Sequence, residues 1–390
     1  MAQTKRAGVA FAGIPQPPSP VDLQEPAELA DDLRALAGLS GPERAFLTLY
    51  LDGPRAYAAL EHDLRAIRAL LAGEPDELQH FEENLKLVEG LVAAHRWGEA
   101  PALAVFTCWA NDFARALPLP VTVEPKVWMG DAPFVRPLAE LIDEHEPFAV
   151  AVVDAKRAEL YLVVDDEAEE AARVRGDVKN RVRKGGWSQK RYARRRDKEM
   201  ERYATDIVEA LQELDRERPF ARLVLLGAEE TIRAVEAELS RSLADRLVGT
   251  RPLDAYASEE ETLEVAMDVA DEGERADEAR LWHEIREAYL GGGLAAVGAT
   301  RVLAALEEAR VEALLVDREA AIEGRKCRNC AHVVHGTPQT CGRCGSADVF
   351  ELDLVEALVE RAARTGAETE FTDPSPALAE VGHVAALLRY

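Results

Sequence analysis

Long apolar runs are missing from this chain. No stretch of about 18 uncharged apolar residues occurs in its 390 positions, which excludes a membrane-spanning helix. Cysteine is scarce as well: of five, four fall in two Cys-x-x-Cys pairs, a pattern that excludes a disulfide framework and points to a metal site in a reducing compartment, the cytoplasm. Positive charge is short overall. The formal balance of −25 gives a surface that repels phosphate unless basic residues are gathered in one place. Lys5-Arg6 and the short, weakly apolar Ala7 to Ile14 faintly resemble a secretory leader but run straight into Pro15, Pro17, Pro18 and Pro20, so residues 1–20 are expected to be a flexible tail instead.

What is present suits a globular protein, with 47% hydrophobic and 31% charged residues. The length exceeds one ordinary core, and three domains of about 100–150 residues are expected. The fold class predicted is mixed α/β (α+β), with an N-terminal α/β domain over 21–140, a central domain over 141–275 and a C-terminal αβα-layered domain over 276–390. In the first, apolar spacing predicts helices over Ala27–Leu39, Tyr57–Leu71 and Leu78–Val92, and strands over Ala45–Leu51 and Ala102–Cys108. In the second, Phe148–Val153 and Glu159–Val164 form a hairpin, followed by helix Ser188–Leu214, strand Leu223–Leu226, helix Glu229–Leu243 and a charged helix over Ser258–Glu274. The third carries helices over Ala276–Tyr289, Thr300–Ala309 and Leu354–Thr365, strands over Val311–Val316 and Glu368–Thr372, and a last element over Val381–Leu388.

The missing positive charge is concentrated in one segment. Between Ala171 and Tyr203 stand 13 lysines and arginines against four acids, a local +9 that leaves −34 for the rest. At its centre is Arg183-Lys184-Gly185-Gly186-Trp187-Ser188-Gln189-Lys190-Arg191-Tyr192, continuing to Arg194, Arg195 and Arg196. Two glycines let backbone approach a ligand closely, and a helix starting at Ser188 directs free N–H groups toward an anion or a developing oxyanion. On that helix Tyr192, Tyr203, Ile207, Leu211 and Leu214 share a stripe for burial. Lys190, Arg191, Arg194, Arg195 and Lys198 are left to meet phosphates. The plainer alternatives are a solvated charged face, or an arm that binds RNA without sequence preference or chemistry.

These residues resemble the tip of the archaeo-eukaryotic class I peptide chain release factors, in which Gly-Gly-Gln-Ser is followed by a basic helix of the form x-x-Arg-Phe-x-Arg-x-Arg. Here Gly185, Gly186, Trp187 and Ser188 precede Arg191, Tyr192, Arg194 and Arg196 in register. The resemblance implies a bacterial-type member of that superfamily, whose loop enters the ribosomal peptidyl-transferase centre and helps water attack the ester joining peptide to tRNA. It further implies the ribosome and tRNA or rRNA as partners, with delivery by a translational GTPase left open, and no membrane. Trp187 occupies the family's glutamine position. Gln189, two residues on, offers both donor and acceptor and is the candidate to orient the attacking group, or else is a solvated side chain on a first helical turn. Gly185, Gly186 and Gln189 are thus the catalytic candidates. Arg183, Lys184, Trp187, Lys190, Arg191, Arg194, Arg195 and Arg196 are the RNA-binding ones. The family's codon-reading tetrapeptide Asn-Ile-Lys-Ser is absent, and Phe106-x-Cys108 followed by Phe113 does not match its Tyr-x-Cys-x-x-x-Phe motif. Rescue of stalled ribosomes is therefore expected rather than termination, by peptidyl-tRNA hydrolysis or cleavage near the CCA end. A noncatalytic ribosome-binding or dormancy factor occupying the acceptor site is the rival.

Cys327-x-x-Cys330 and Cys341-x-x-Cys344, ten residues apart, have the spacing of a four-cysteine zinc ribbon inserted at 325–346. Four thiolates close the coordination sphere, so the zinc is expected to be structural; His332 and His335 are possible substitutes and a redox dithiol is the minor alternative. Gly293 to Thr300 approaches a phosphate-binding loop but has Ala299 where lysine is required, which disfavours an NTPase. Cys108 reads as a small buried residue of a strand.

Overall fold

The computed structural model describes residues 26–98, 100–164, 167–176, 187–254 and 257–390, which cluster into two compact units. The described residues form a mixed α/β fold with four sheets. No helix among the described residues is long and apolar enough to cross a membrane. Helix α1 (Pro26–Ala37) comes first.

One unit contains β1 (Phe46–Asp52), the short helices α2 (Ala56–Ala59) and α3 (Glu61–Leu70), α4 (Pro75–Ala94), β2 (Ala102–Cys108), β3 (Phe113–Leu119) and β4 (Lys126–Gly130). Its antiparallel sheet runs β3-β2-β1-β4. Leu47, Leu49, Leu51, Leu103 and Val105 present one face to Leu64, Phe81, Leu85 and Val88 of the helices, as alternation in the strands and three- and four-residue spacing in the helices require. Cys108 is buried at the sheet's end beside Phe46 and Phe113, and its thiol is pushed up by that burial. Strands β3 and β4 are not marked by the apolar pattern of the sequence: β3 contains Pro118, and β4 carries no fully buried residue.

The other unit holds two αβα arrangements. Helix α5 (Arg136–Glu144) precedes the first in sequence but packs on the second through Ala139; the first runs through β5 (Phe148–Val153), β6 (Arg157–Val164), β7 (Glu167–Arg175), α6 (Trp187–Glu217), β8 (Arg222–Gly227), α7 (Glu229–Glu238), α8 (Arg241–Ala244) and β9 (Leu247–Pro252). Its five-stranded sheet runs β7-β6-β5-β8-β9, parallel at β5–β8 and β8–β9 and antiparallel elsewhere. Buried Tyr203, Ile207, Leu211 and Leu214 of α6 cover one face, as the expected stripe requires. The opposite face is covered by α9 (Glu259–Leu290), whose Ala266, Val269 and Ala270 pack on Val150, Val224 and Leu226.

Two expectations along this stretch are corrected. The two helices predicted over 258–289 are one 32-residue helix, started by the Ser258 hydroxyl accepting from the Glu261 N–H at 3.1 Å. At Gly273 of α9 an added Cβ would lie 2.5 Å from Val248 Cβ, so glycine permits the close approach of helix to β9 that its modest helix propensity would not reveal. The helix predicted over Glu229–Leu243 ends at Glu238, and a new turn starts where Ser240 caps α8.

The second arrangement has a sheet in the order β10-β16-β11-β15, from β10 (Ala295–Val297), β11 (Val311–Asp317), β15 (Glu368–Thr372) and β16 (Val384–Leu388). Helices α10 (Ala299–Glu307) and α11 (Leu354–Thr365) cover one face; Ile285 of α9 and Leu378 of α12 (Pro376–Ala379) cover the other, giving the αβα layers expected. A small sheet, β13-β12-β14, is inserted after β11 from β12 (Glu323–Cys327), β13 (Val333–His335) and β14 (Val349–Asp353).

Where the two arrangements adjoin, carboxylates outnumber cations. Arg222 lies 3.6 Å from both Glu146 and Glu274, and Arg318 lies 3.7 Å from Asp143. Burial, then the charge of Glu370, pushes Asp143 up to about 8 although the Phe371 N–H donates to it at 3.2 Å. Burial, then Glu146, pushes Glu370 up to about 7, and burial also raises Glu146 and Glu274. The folded chain therefore binds protons that unfolded carboxyls release near pH 4, and its stability falls as pH rises from about 4 to about 8. We expect urea midpoints to decline from pH 5 to pH 8, and Asp143→Asn to flatten that slope; a midpoint that rises over this range would contradict the assignment.

Candidate nucleic-acid interface and metal centre

The basic segment is carried by α6. Arg183, Lys184, Gly185 and Gly186 lie outside the described residues, and for Trp187, Ser188, Gln189, Lys190, Arg191 and Tyr192 the described feature is helical backbone alone. Further along, Arg194 and Arg195 are exposed, Arg195 pairing with Glu199 at 3.0 Å one turn on. Arg196 is different. Its guanidinium forks onto both carboxylate oxygens of Glu230 in the first turn of α7, and the side chain keeps only 16% exposure. That partner, 34 residues away, has no signature in the sequence. At the other end of the helix, Asp215 receives Arg246 bidentately at 2.5 and 2.8 Å, and the same guanidinium stacks over Phe220 at 5.1 Å. Hydrogen bonding to Arg246 holds the Asp215 carboxyl below its usual range. Helix α6 is thus tied at both Arg196 and Asp215, with its apolar stripe buried between them.

The structure brings the four cysteines together. The Sγ atoms of Cys327, Cys330, Cys341 and Cys344 all lie within 4.8 Å of one another, with Cys327–Cys344 and Cys330–Cys341 each at 3.6 Å. Metal–sulfur bonds of about 2.3 Å in a tetrahedron give sulfur–sulfur edges of about 3.8 Å, so the four atoms fit the shell of one ion.

Two matching turns build this cluster. The Ala331 N–H donates to the Cys327 carbonyl and the Gly345 N–H to the Cys341 carbonyl, at 2.9 and 2.8 Å; the Cys327 and Cys341 N–H groups donate to the His332 and Ser346 carbonyls at 2.9 and 2.7 Å. Both Ala331 and Gly345 are left-handed, at φ 56° and 73°. The Asn329 amide, 3.5 Å away, and then the Ser346 N–H hold the Cys344 thiol down, while hydrogen bonding among the thiols raises Cys330, so the cluster shares its protons until they are displaced. The imidazole of His335 is engaged elsewhere, its Nδ1 lying 3.0 Å from the Thr300 hydroxyl of α10. Near Thr300 the phosphate-loop-like stretch follows helix α9 and contains the short strand β10, then Gly298 at φ 84°.

Residues 133–271 match the family described as bacterial archaeo-eukaryotic release factor family 10. The chain is 25% identical over 339 residues to peptide chain release factor subunit 1 of Thermococcus onnurineus, covering 80% of this chain and 77% of that protein. It is 26% identical over 231 residues to the protein of that name from Methanopyrus kandleri, covering 56% and 55%. A solved structure of S. cerevisiae Dom34, described as a translation termination-like factor, is 14% identical with a TM-score of 0.42, covering 71% of this chain and 72% of that one. The chain is thus similar, over residues 133–271 and more loosely over most of its length, to archaeo-eukaryotic class I peptide chain release factors.

Two outcomes are expected at the cysteine cluster. The purified chain should contain about one metal ion, lost on Cys341→Ser together with cooperative melting of the small sheet. Ala331→Gly should raise stability by up to about 1 kcal/mol, because alanine at positive φ carries a steric cost that glycine does not. A lowered melting temperature in Ala331→Gly would count against that strain.

Proposed function

We propose that this protein is a cytoplasmic, ribosome-associated release or rescue factor acting on the ester end of a ribosome-bound tRNA. The observation that carries the reading is the gathering of positive charge at the start of α6 in an otherwise acidic chain. Its partners would be the ribosome and tRNA or rRNA, with a translational GTPase as a further candidate. Rescue is favoured over termination because the codon-reading tetrapeptide is absent and Cys108 is buried in the sheet.

In this reading Gly185 and Gly186 let the loop approach the tRNA terminus, and Ser188 lies in the first turn of the helix that follows. The Gln189 amide orients water toward the ester carbonyl carbon. As that bond forms, the oxyanion is met by N–H groups of the loop and first helical turn, and the ribose oxygen leaves with a proton. Arg183, Lys184, Lys190, Arg191, Arg194 and Arg195 neutralise phosphates, while Trp187 stacks on an unpaired base. Arg196, held by Glu230, would act as much on the helix as on RNA. For the cysteine cluster we propose zinc, bound by Cys327, Cys330, Cys341 and Cys344 in a closed structural site that leaves no position for water.

Trp187 at the family's glutamine position supports a second reading, a noncatalytic factor that occupies the acceptor site. Release of labelled peptide from stalled ribosome–peptidyl-tRNA complexes separates the two. The enzyme reading expects Gln189→Ala to lower the rate about 100-fold, with the tRNA 3′ end distinguishing hydrolysis from cleavage. Tight ribosome binding without release would leave the binding factor. Arg194→Ala should weaken RNA binding across sequences and reduce the salt slope by about 1, whereas an unchanged slope would remove Arg194 from the interface.

A further inference from the structure

The apolar stripe of α6 runs back from Leu214 through Leu211, Ile207, Tyr203 and Met200, and the same three- and four-residue spacing leads next to position 196. An arginine stands there, on the inward face, whereas its neighbours Arg194 and Arg195 are exposed. No residue from Arg194 to Glu199 is buried, so Met200 is the first described side chain that fixes the helix by apolar contact. The pair Arg195–Glu199 lies within α6 and does not join it to another element.

The carboxylate that meets Arg196 is positioned from outside α6. Helix α7 is rooted by Ile232 and Val235 in the core that α6 covers, and Glu230 stands in its first turn, where the helix dipole favours a negative charge. Of the two acids in that turn, Glu229 pairs with Arg233 of its own helix at 3.0 Å, and Glu230 reaches across to Arg196, the second bond of the fork measuring 2.6 Å. Arg196 keeps 16% exposure against 52% for Glu230, so the guanidinium is turned away from solvent and the carboxylate is not. A phosphate could take Arg196 only by separating it from a bidentate partner. At 1.5 Å per residue Trp187 lies about 14 Å beyond Arg196 along the axis, against about 20 Å beyond Met200, so the fork shortens the unsupported part of the helix by about a third.

We infer that Glu230 is a positioning residue for the tip. Acting through Arg196, it holds the basic end of α6 where Gly185, Gly186 and Gln189 meet the ester, which narrows the role of Arg196 to the helix and leaves phosphates to the exposed cations. The inference rests on the release reading for its consequence in catalysis, and on the geometry alone for its consequence in the helix.

The test compares the full chain with Glu230→Ala, Arg196→Ala and the double variant, in peptide release from stalled ribosome–peptidyl-tRNA complexes and in RNA binding across a salt series. Each single variant should lower kcat about tenfold and leave KM unchanged, and the double variant should be no slower than the singles, because all three remove the same fork. The salt slope of RNA binding should be the same in all of them. A slope steeper by about 1 with tighter RNA binding in Glu230→Ala would mean that Glu230 masks an RNA contact, and a slope shallower by about 1 in Arg196→Ala that Arg196 makes one. Either result, additive losses, or an unchanged kcat in Glu230→Ala would overturn the proposal. If the wild type releases no peptide, the release reading fails separately and amide hydrogen exchange of the free chain judges the pair. Glu230→Ala should then quicken exchange at residues 194–198 about tenfold and leave 203–214 unchanged, whereas wild-type rates at 194–198 would overturn it.

Discussion

The buried stripe of α6 determines what the basic segment can do. Tyr203, Ile207, Leu211 and Leu214 are packed against the central sheet, and a helix rises about 1.5 Å per residue. Trp187 therefore stands about 24 Å along the axis from Tyr203, on a rod whose direction the buried half sets. Flexible loops could present the same charges, but each presentation would then have to be ordered on binding at a cost in conformational entropy. The fork from Arg196 to Glu230 adds little stability as a mainly surface pair. Its value is geometric, because it joins α6 to α7 a few residues beyond the start of the helix.

Charge distribution complements this anchoring. With −34 outside the basic segment, most of the surface repels a phosphate-rich partner, so attraction is confined to one region and approach is oriented before contact. Excess negative charge also works against a compact fold. At the junction around Arg222 and Arg318 the strain is reduced by proton uptake on Asp143 and Glu370, whose raised values express how unfavourable a full set of ionised carboxylates would be there.

Local chemistry was legible in the sequence where one segment contains the whole signal. The cysteine spacing predicts the metal-site geometry, and the three- and four-residue spacing of α6 predicts the stripe that is buried. Signals distributed over distant segments were not legible. Glu230 cannot be recognised as the partner of Arg196 from its place in a charged helix, nor Glu274 and Glu146 as flanking Arg222, because ion pairing depends on the tertiary fold. Strand β7, with its sequence EAEEAARVR, lacks the apolar alternation of a half-buried strand; pairing with β6 defines it. Helix α9 runs unbroken through the charge-dense stretch expected to connect two domains, and the close fit against Val248 explains Gly273 within it.

The two cysteine turns show how a metal site and a backbone conformation support each other. They share the same hydrogen bonds and the same left-handed residue after the second cysteine, yet one turn has glycine there and the other Ala331. A left-handed alanine is unfavourable by about 1–2 kcal/mol when nothing else requires it. Metal–thiolate bonding to four cysteines would be worth about 10 kcal/mol or more, enough to hold Ala331 in place. The same bonding would join β12, at Cys327, to the turn before β14 that contains Cys341 and Cys344. A sheet with strands as short as three residues, too small to be stable by its own burial, would thereby be held together at one end.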